Sequence, residues 1–293
     1  SMAEAEELDF FRQLRSDSPA PAQECFDEDI WDQVMIHPNQ DDLLTSIFSF
    51  TTLAALATHA RPLEELGVDP RQQIADPSQE ANTMAQMLHY AAGVSLMPLP
   101  ALYYHPQDHG GLSMALSNPP GVLLGQAAIQ GANDQALAFI AARQLSYFRP
   151  GHFMRQLVPT GSGLRAWLLA AIRITNARFP IPDQLEDKIT SHCTALRQHL
   201  SAPQVEQLQS LVEHLLETAP ELDMKRWVAA VDLTADRVGF VLSDSLDAAT
   251  AVVRASAQDA NGASERERLQ SLFSFAVSPT YLQLRKTLGI QKG

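Results

Sequence analysis

Apolar residues recur at helical spacing through most of this chain. After Asp41-Asp42, the positions Leu43, Leu44, Ile47, Phe48, Leu53 and Leu56 predict a helix over 41–60, with the acids at the end the helix dipole favours. Beyond a Pro-bearing linker at 61–80, Met84, Met87, Leu88 and Ala91 repeat the pattern over 81–94. Methionines on such a face are read as core filler, because the unbranched thioether adapts to irregular gaps. Between 97 and 125 the period shortens. Leu102-Tyr103-Tyr104-His105, the run 112–116 and Val122-Leu123-Leu124 are brief strand patterns divided by Gly110-Gly111 and Asn118-Pro119-Pro120-Gly121. They predict a small sheet of about three strands.

Helical spacing then returns. Asn133-Asp134 caps a helix read over residues 136–152, ALAFIAARQLSYFRPGH, closed by Arg149-Pro150-Gly151. Further helices are predicted over 164–177, from Pro182-Asp183 through Leu200, and from Ser201 with capping-box spacing to Gln204. The pattern continues over 224–241, 246–255 and 269–275, then from Pro279 to Leu288-Gly289. No repeat of 20–50 residues is evident, which argues against a solenoid. The fold class predicted is mainly α with a small β-sheet, an α+β arrangement.

Hydrophobic content of 45% and charged content of 19% belong to an ordinary globular protein. The net charge of −13 argues against nucleic acid or an anionic membrane surface as partner. No cluster of Lys and Arg is dense enough along the sequence to propose a basic patch. The most apolar run, 167–172, is flanked by Arg165 and Arg173 and does not span a bilayer. Cys25 and Cys193 form no C-x-x-C motif and read as two reduced thiols of a cytoplasmic protein. The start, Ser1-Met2-Ala3-Glu4, shows no secretory pattern, and Ser1-Met2 reads as a cloning remnant. Residues 1–40, acidic and Pro-bearing with Phe10, Phe11, Trp31 and Val34, are expected to form a partly ordered arm on the body.

The order of small sheet, helix, intervening helices and a helix bearing Val231-Asp232-Leu233-Thr234-Ala235-Asp236 carries a resemblance. It is similar to the gluzincin-type zinc metallopeptidases of the M48 kind, over roughly 97–290. It is closest to degenerate bacterial forms, some linked to tetratricopeptide repeats. In that family one helix bears H-E-x-x-H and a later one E-x-x-A-D. The resemblance places Arg143 and Tyr147 at the first and second ligand positions and Gln144 at the general base. It places Asp232 at the third ligand position and Asp236 at the acid that orients a ligand histidine. Those residues cannot do the work. Arg offers only donors to a metal. Gln keeps the shape of Glu but takes no proton from water. One carboxylate does not hold zinc, and a register shifted to Ala142 and Ser146 is no better. No metal and no cofactor are therefore expected.

Arg143 and Tyr147 share one helical face, and Asp232 and Asp236 share another. If the helices pack as in the peptidases, Arg143 is expected to brace them by an ion pair to Asp232 and Asp236, with Tyr147 as a hydrogen-bonding neighbour. Other signals have plainer readings. His105, His109 and His152 read as loop histidines, and Thr160-Gly161-Ser162-Gly163 as a helix-start loop. Residues 264–268, SERER, read as a solvated helix start with local ion pairs. Phe273, Phe275 and Tyr281 read as core.

The expected organisation is a partly ordered acidic arm over 1–40, a helical N-terminal extension over 41–96 and a peptidase-like domain over 97–293. The expected function is a pseudopeptidase that acts as a protein-interaction or regulatory module in the bacterial cytoplasm and takes a protein or peptide partner. The alternatives are an enzyme with a non-zinc or rebuilt site in the same cleft, or a purely structural helical domain.

Overall fold

The helix Met224–Ser243 is buried along most of its length beyond an exposed first turn, and the rest of the fold packs around it. The computed structural model describes residues 22–130, 133–218, 223–256 and 262–290 of the 293-residue chain. Helices of eight residues or more run α1 Asp42–His59, α2 Thr83–Val94, α3 Asp134–Ser146, α4 Gly161–Thr175 and α5 Glu186–His199. They continue with α6 Ala202–Thr218, α7 Met224–Ser243, α8 Leu246–Ala255, α9 Glu265–Ala276 and α10 Pro279–Thr287. Strands β1 Ala101–Tyr104, β2 Leu112–Ala115 and β3 Gly121–Leu124 lie between α2 and α3. The fold is mainly helical with one small mixed sheet.

Local chemistry sets the helix starts. Asp41, Asn82, Asn133, Thr160, Asp223, Ser245, Ser264 and Ser278 each turn a side-chain oxygen onto an N–H of the first turn. At α9 the capping box is complete, with Glu267 reaching back to Ser264. In the sheet, β3 is central, parallel to β1 and antiparallel to β2. Its four residues are all buried, as a strand covered on both faces requires.

Two apolar clusters divide the interior. One gathers α2, the sheet, α3, α9 and α10 around Phe139, Val238 and Phe240. The other gathers α1, α4, α5 and α6 around Trp167, Trp227 and Val231. Helix α7 belongs to both, its first half to the second cluster and its second half to the first. Asp232 and Asp236 lie on α7 where the clusters meet. Helices α3 and α7 make the most extensive helix pair. A Cβ at Gly239 would lie 2.7 Å from the Phe139 carbonyl oxygen, so the two backbones touch there. Among the described residues, no helix is long and apolar enough to cross a membrane.

Several expectations need correction. The predicted single helix over 136–152 ends at Ser146, with Tyr147 as its C-cap. Pro150 lacks an N–H and disfavours helical geometry at the residue before it. The chain there tightens into i→i−3 bonds, Phe148 N to Leu145 O at 2.8 Å and Arg149 N to Ser146 O at 3.3 Å. Gly151, at φ +81°, then turns it against the Thr45 carbonyl into the short helix Met154–Leu157.

The expected arm is built into the core as far as it is described. Phe26, Trp31 and Met35 are fully buried, and Trp31 Nε1 donates to Ser95 O at 3.1 Å. Phe10 and Phe11 lie outside the described residues. Helix α2 packs on α3, and α1 on α5 and the segment 154–157. Finally, Phe275 and Tyr281 are core residues, but Phe273 is 46% exposed.

Candidate functional site

Arg143 projects from α3 one turn beyond the close contact with Gly239, and meets Asp236 from α7. Its Nε donates to Asp236 Oδ1 at 2.8 Å. Tyr147, one turn on, donates its hydroxyl to Asp232 Oδ1 at 2.9 Å, and the Arg143 Cζ lies 5.3 Å from its ring centroid. The i, i+4 pairs read from the sequence therefore face each other, with a division of labour. Arg143 takes Asp236 and Tyr147 takes Asp232, and Arg143 makes no ion pair with Asp232. Gln144 lies off this line, its amide 3.9 Å from the Met114 sulfur.

Two further arginines complete the network, and neither was singled out in the sequence. Arg155, from the short helix Met154–Leu157, approaches Asp232 Oδ2 at 3.3 Å. Arg268, from α9, grips Asp236 with Nε to Oδ2 at 2.6 Å and Nη2 to Oδ1 at 2.7 Å. The reading of SERER as a solvated helix start is therefore wrong at Arg268, which is 7% exposed. A signal for it was present: Arg268, Leu272 and Phe275 lie on one helical stripe and are the buried residues of α9. Arg155 likewise interrupts the apolar run Phe153, Met154, Leu157 and Val158, all buried.

Burial alone would penalise the Arg143 charge. The carboxylates of Asp236 and Asp232 outweigh it and hold its pKa above the ordinary value. Burial pushes the Tyr147 hydroxyl well up, so it serves as a donor and stays protonated. Beside the network opens a cavity of about 310 Å³, with Arg143, Tyr147, Arg155, Asp232, Glu265 and Arg268 on its wall.

This donor set does not fit zinc. Guanidinium groups cannot ligate a cation, and both carboxylates are already engaged by arginines and a tyrosine. Among the described residues, no three His, Cys, Asp or Glu side chains converge as a metal site. The histidines near the motif lie elsewhere. His109 Nδ1 pairs with Gln126 Oε1 at 2.7 Å, and His105 Nδ1 is buried without a partner. His152 is buried, and burial followed by the nearby Arg149 lowers its pKa to about 4. Thr160 acts as the N-cap of α4, accepting from Gly163 N at 3.2 Å. Cys25 and Cys193 are both free, the second buried in the α4–α5 region.

No family model, no curated protein and no solved structure matches the chain.

Proposed function

We propose that this protein is a non-catalytic domain of degenerate gluzincin character that serves as an interaction or regulatory module and receives a peptide segment of a partner beside the arginine–aspartate network. The observation that carries the reading is the commitment of Asp232 and Asp236. A hydrolase in this arrangement needs a metal ligand and a free base. Here one aspartate accepts from Tyr147 and Arg155, and the other from Arg143 and Arg268. The residue at the general-base position is Gln144, which takes no proton from water. What remains is a polar cavity walled by ion-paired side chains, suited to holding a chain segment and not to cutting one. The acidic surface implied by a net charge of −13 makes a protein partner more compatible than nucleic acid. A cytoplasmic setting with reduced thiols belongs to the same proposal.

Metal analysis and a peptide-hydrolysis assay on the purified chain test it together. The expected result is no stoichiometric transition metal and no turnover. Stoichiometric metal, or hydrolysis abolished by Gln144→Ala, would overturn the proposal. Partner capture that is lost with Arg143→Ala, in protein shown to be folded, separates an interaction module from a purely structural domain.

A further inference from the structure

The chain carries a net charge of −13, yet the fold gathers cations that the sequence leaves scattered. A half-open cavity of about 510 Å³ lies between the first turn of α7, helix α9 and the segment following Met35, with Lys225, Arg226 and Arg237 on its wall. Among the described residues none of the three has a carboxylate within ion-pair distance. The two acids on the same wall have other work. Asp223 caps α7 by accepting from Arg226 N at 3.0 Å. Glu267 accepts from Ser264 N at 2.8 Å and from its hydroxyl at 2.6 Å, which lowers its pKa, with a smaller contribution from Lys225 across the wall.

Arg237 is the most telling of the group. Its Nη1 donates to the carbonyls of Ile36 at 3.2 Å and Val34 at 3.4 Å, and its Cζ lies 4.8 Å from the Phe275 ring centroid. Its Nε is buried without an acceptor. Carbonyls at the end of a helical turn favour a cation, but they do not neutralise one. A largely desolvated guanidinium without a counter-charge is costly, and burial alone lowers its pKa to about 10. Neighbouring groups line the same space. Arg226 Nη2 donates to Asn39 Oδ1 at 3.1 Å. His37 Nδ1 accepts from Asn39 N at 3.2 Å, which leaves Nε2 as the N–H of the neutral ring. That ring is held neutral by burial, then by Arg237 and Arg226, with its pKa lowered to about 4.

We propose that this cavity binds a small molecule through an oxyanion, a carboxylate or phosphate group, held by Arg226, Arg237 and Lys225 with His37 Nε2 as a neutral donor. The volume falls in the range of small-molecule pockets. An extended polyanion is disfavoured, because the chain as a whole is acidic and would repel whatever reached beyond the cavity. The site lies beside the Arg143 network: the two cavities share no lining residue, and Gly262 of this one abuts Asp232 and Arg155 of the other. Asp236 and Arg237 are neighbours on α7, but a helix turns about 100° between successive residues, which sends Asp236 into the Arg143 network and Arg237 to this cavity.

Calorimetric titration of the full chain tests the site, using sodium phosphate, sodium succinate and sodium chloride at matched ionic strength. Saturable binding of phosphate or of succinate is expected, and whichever binds identifies the group recognised. Lys225 and Arg226 are exposed, so Lys225→Ala and Arg226→Ala are expected to fold normally and to weaken binding about tenfold each, the scale of one charge-assisted hydrogen bond. Arg237→Met, checked for native circular dichroism, is expected to abolish it. Heats indistinguishable from those of chloride would overturn the proposal. So would wild-type affinity in all three variants.

Discussion

Arg268 and Asp236 form a two-point contact inside the protein, with Nε–Oδ2 at 2.6 Å and Nη2–Oδ1 at 2.7 Å and side chains 9% and 1% exposed. Arg143 is the second cation on the same carboxylate, and its side chain is 27% exposed. Together they tie α3, α7 and α9 at one atom group.

Removing the shared acid leaves the buried Arg268 guanidinium and the partly exposed Arg143 guanidinium without their common counter-charge. Asp236→Asn is expected to destabilise the fold by about 3–5 kcal/mol, the scale for breaking a buried pair by losing one partner. Arg268→Met is expected to cost more than Arg143→Met, because solvent screens the more exposed arginine. Urea denaturation of the three variants measures the order. A loss for Arg143→Met equal to or greater than that for Arg268→Met would show that α3, and not α9, is the principal anchor of Asp236.

Gly239→Ala runs against the usual rule for glycine within a helix. At an exposed helical site alanine gains about 0.5–1 kcal/mol over glycine. Here the added methyl would meet the Phe139 carbonyl oxygen at 2.7 Å and its ring at 2.9 Å, so a loss of about 1–3 kcal/mol is expected from overpacking. Prising α3 from α7 also lengthens the Arg143–Asp236 bond, so combining Gly239→Ala with Arg143→Met is expected to be less than additive. A gain in midpoint for the single variant would mean that the helices separate at no cost.

Acid is expected to destabilise the protein through His152. Its folded pKa is lowered to about 4 by burial and by Arg149, against 6.5 for the free side chain. Between those values the unfolded chain binds a proton that the folded chain does not, so stability rises with pH across this window. As pH falls the loss begins near 6.5 and is complete near 4, on the order of 3 kcal/mol in all. Thermal unfolding of wild type and His152→Gln across pH 8 to 4 isolates the contribution. The variant is expected to show the shallower slope between 6.5 and 4, and parallel curves would remove His152 as a cause.

His192 stacks on Trp167 at a centroid distance of 4.0 Å and an interplanar angle of 12°. Both its ring nitrogens, with Trp167 Nε1, are buried without partners. His192→Phe keeps the stack and removes two unsatisfied polar atoms, so a gain of about 1 kcal/mol in urea unfolding is expected. A loss of stability would indicate that the nitrogens are hydrated in solution.

What the sequence determined by itself was local. The apolar period located each described helix of eight residues or more and all three strands, because i, i+4 and i, i+2 spacing is set by backbone geometry alone. Asn133, Ser264 and Pro279 marked helix starts for the same reason. The pairing of the Arg143–Tyr147 face with the Asp232–Asp236 face was also legible, though only through an assumed packing of the two helices. The tertiary structure decided what came from afar. Arg155 lies 77 residues from Asp232, and Arg268 lies 32 from Asp236. Whether a charged side chain is solvated or buried depends on the partner that folding brings to it. No periodicity encodes that partner, and so Arg268 reads as a surface residue until α9 is laid against α7. The same holds for Lys225, Arg226 and Arg237. Along the chain they are three ordinary cations, and only the closure of α7, α9 and the segment after Met35 makes them one wall.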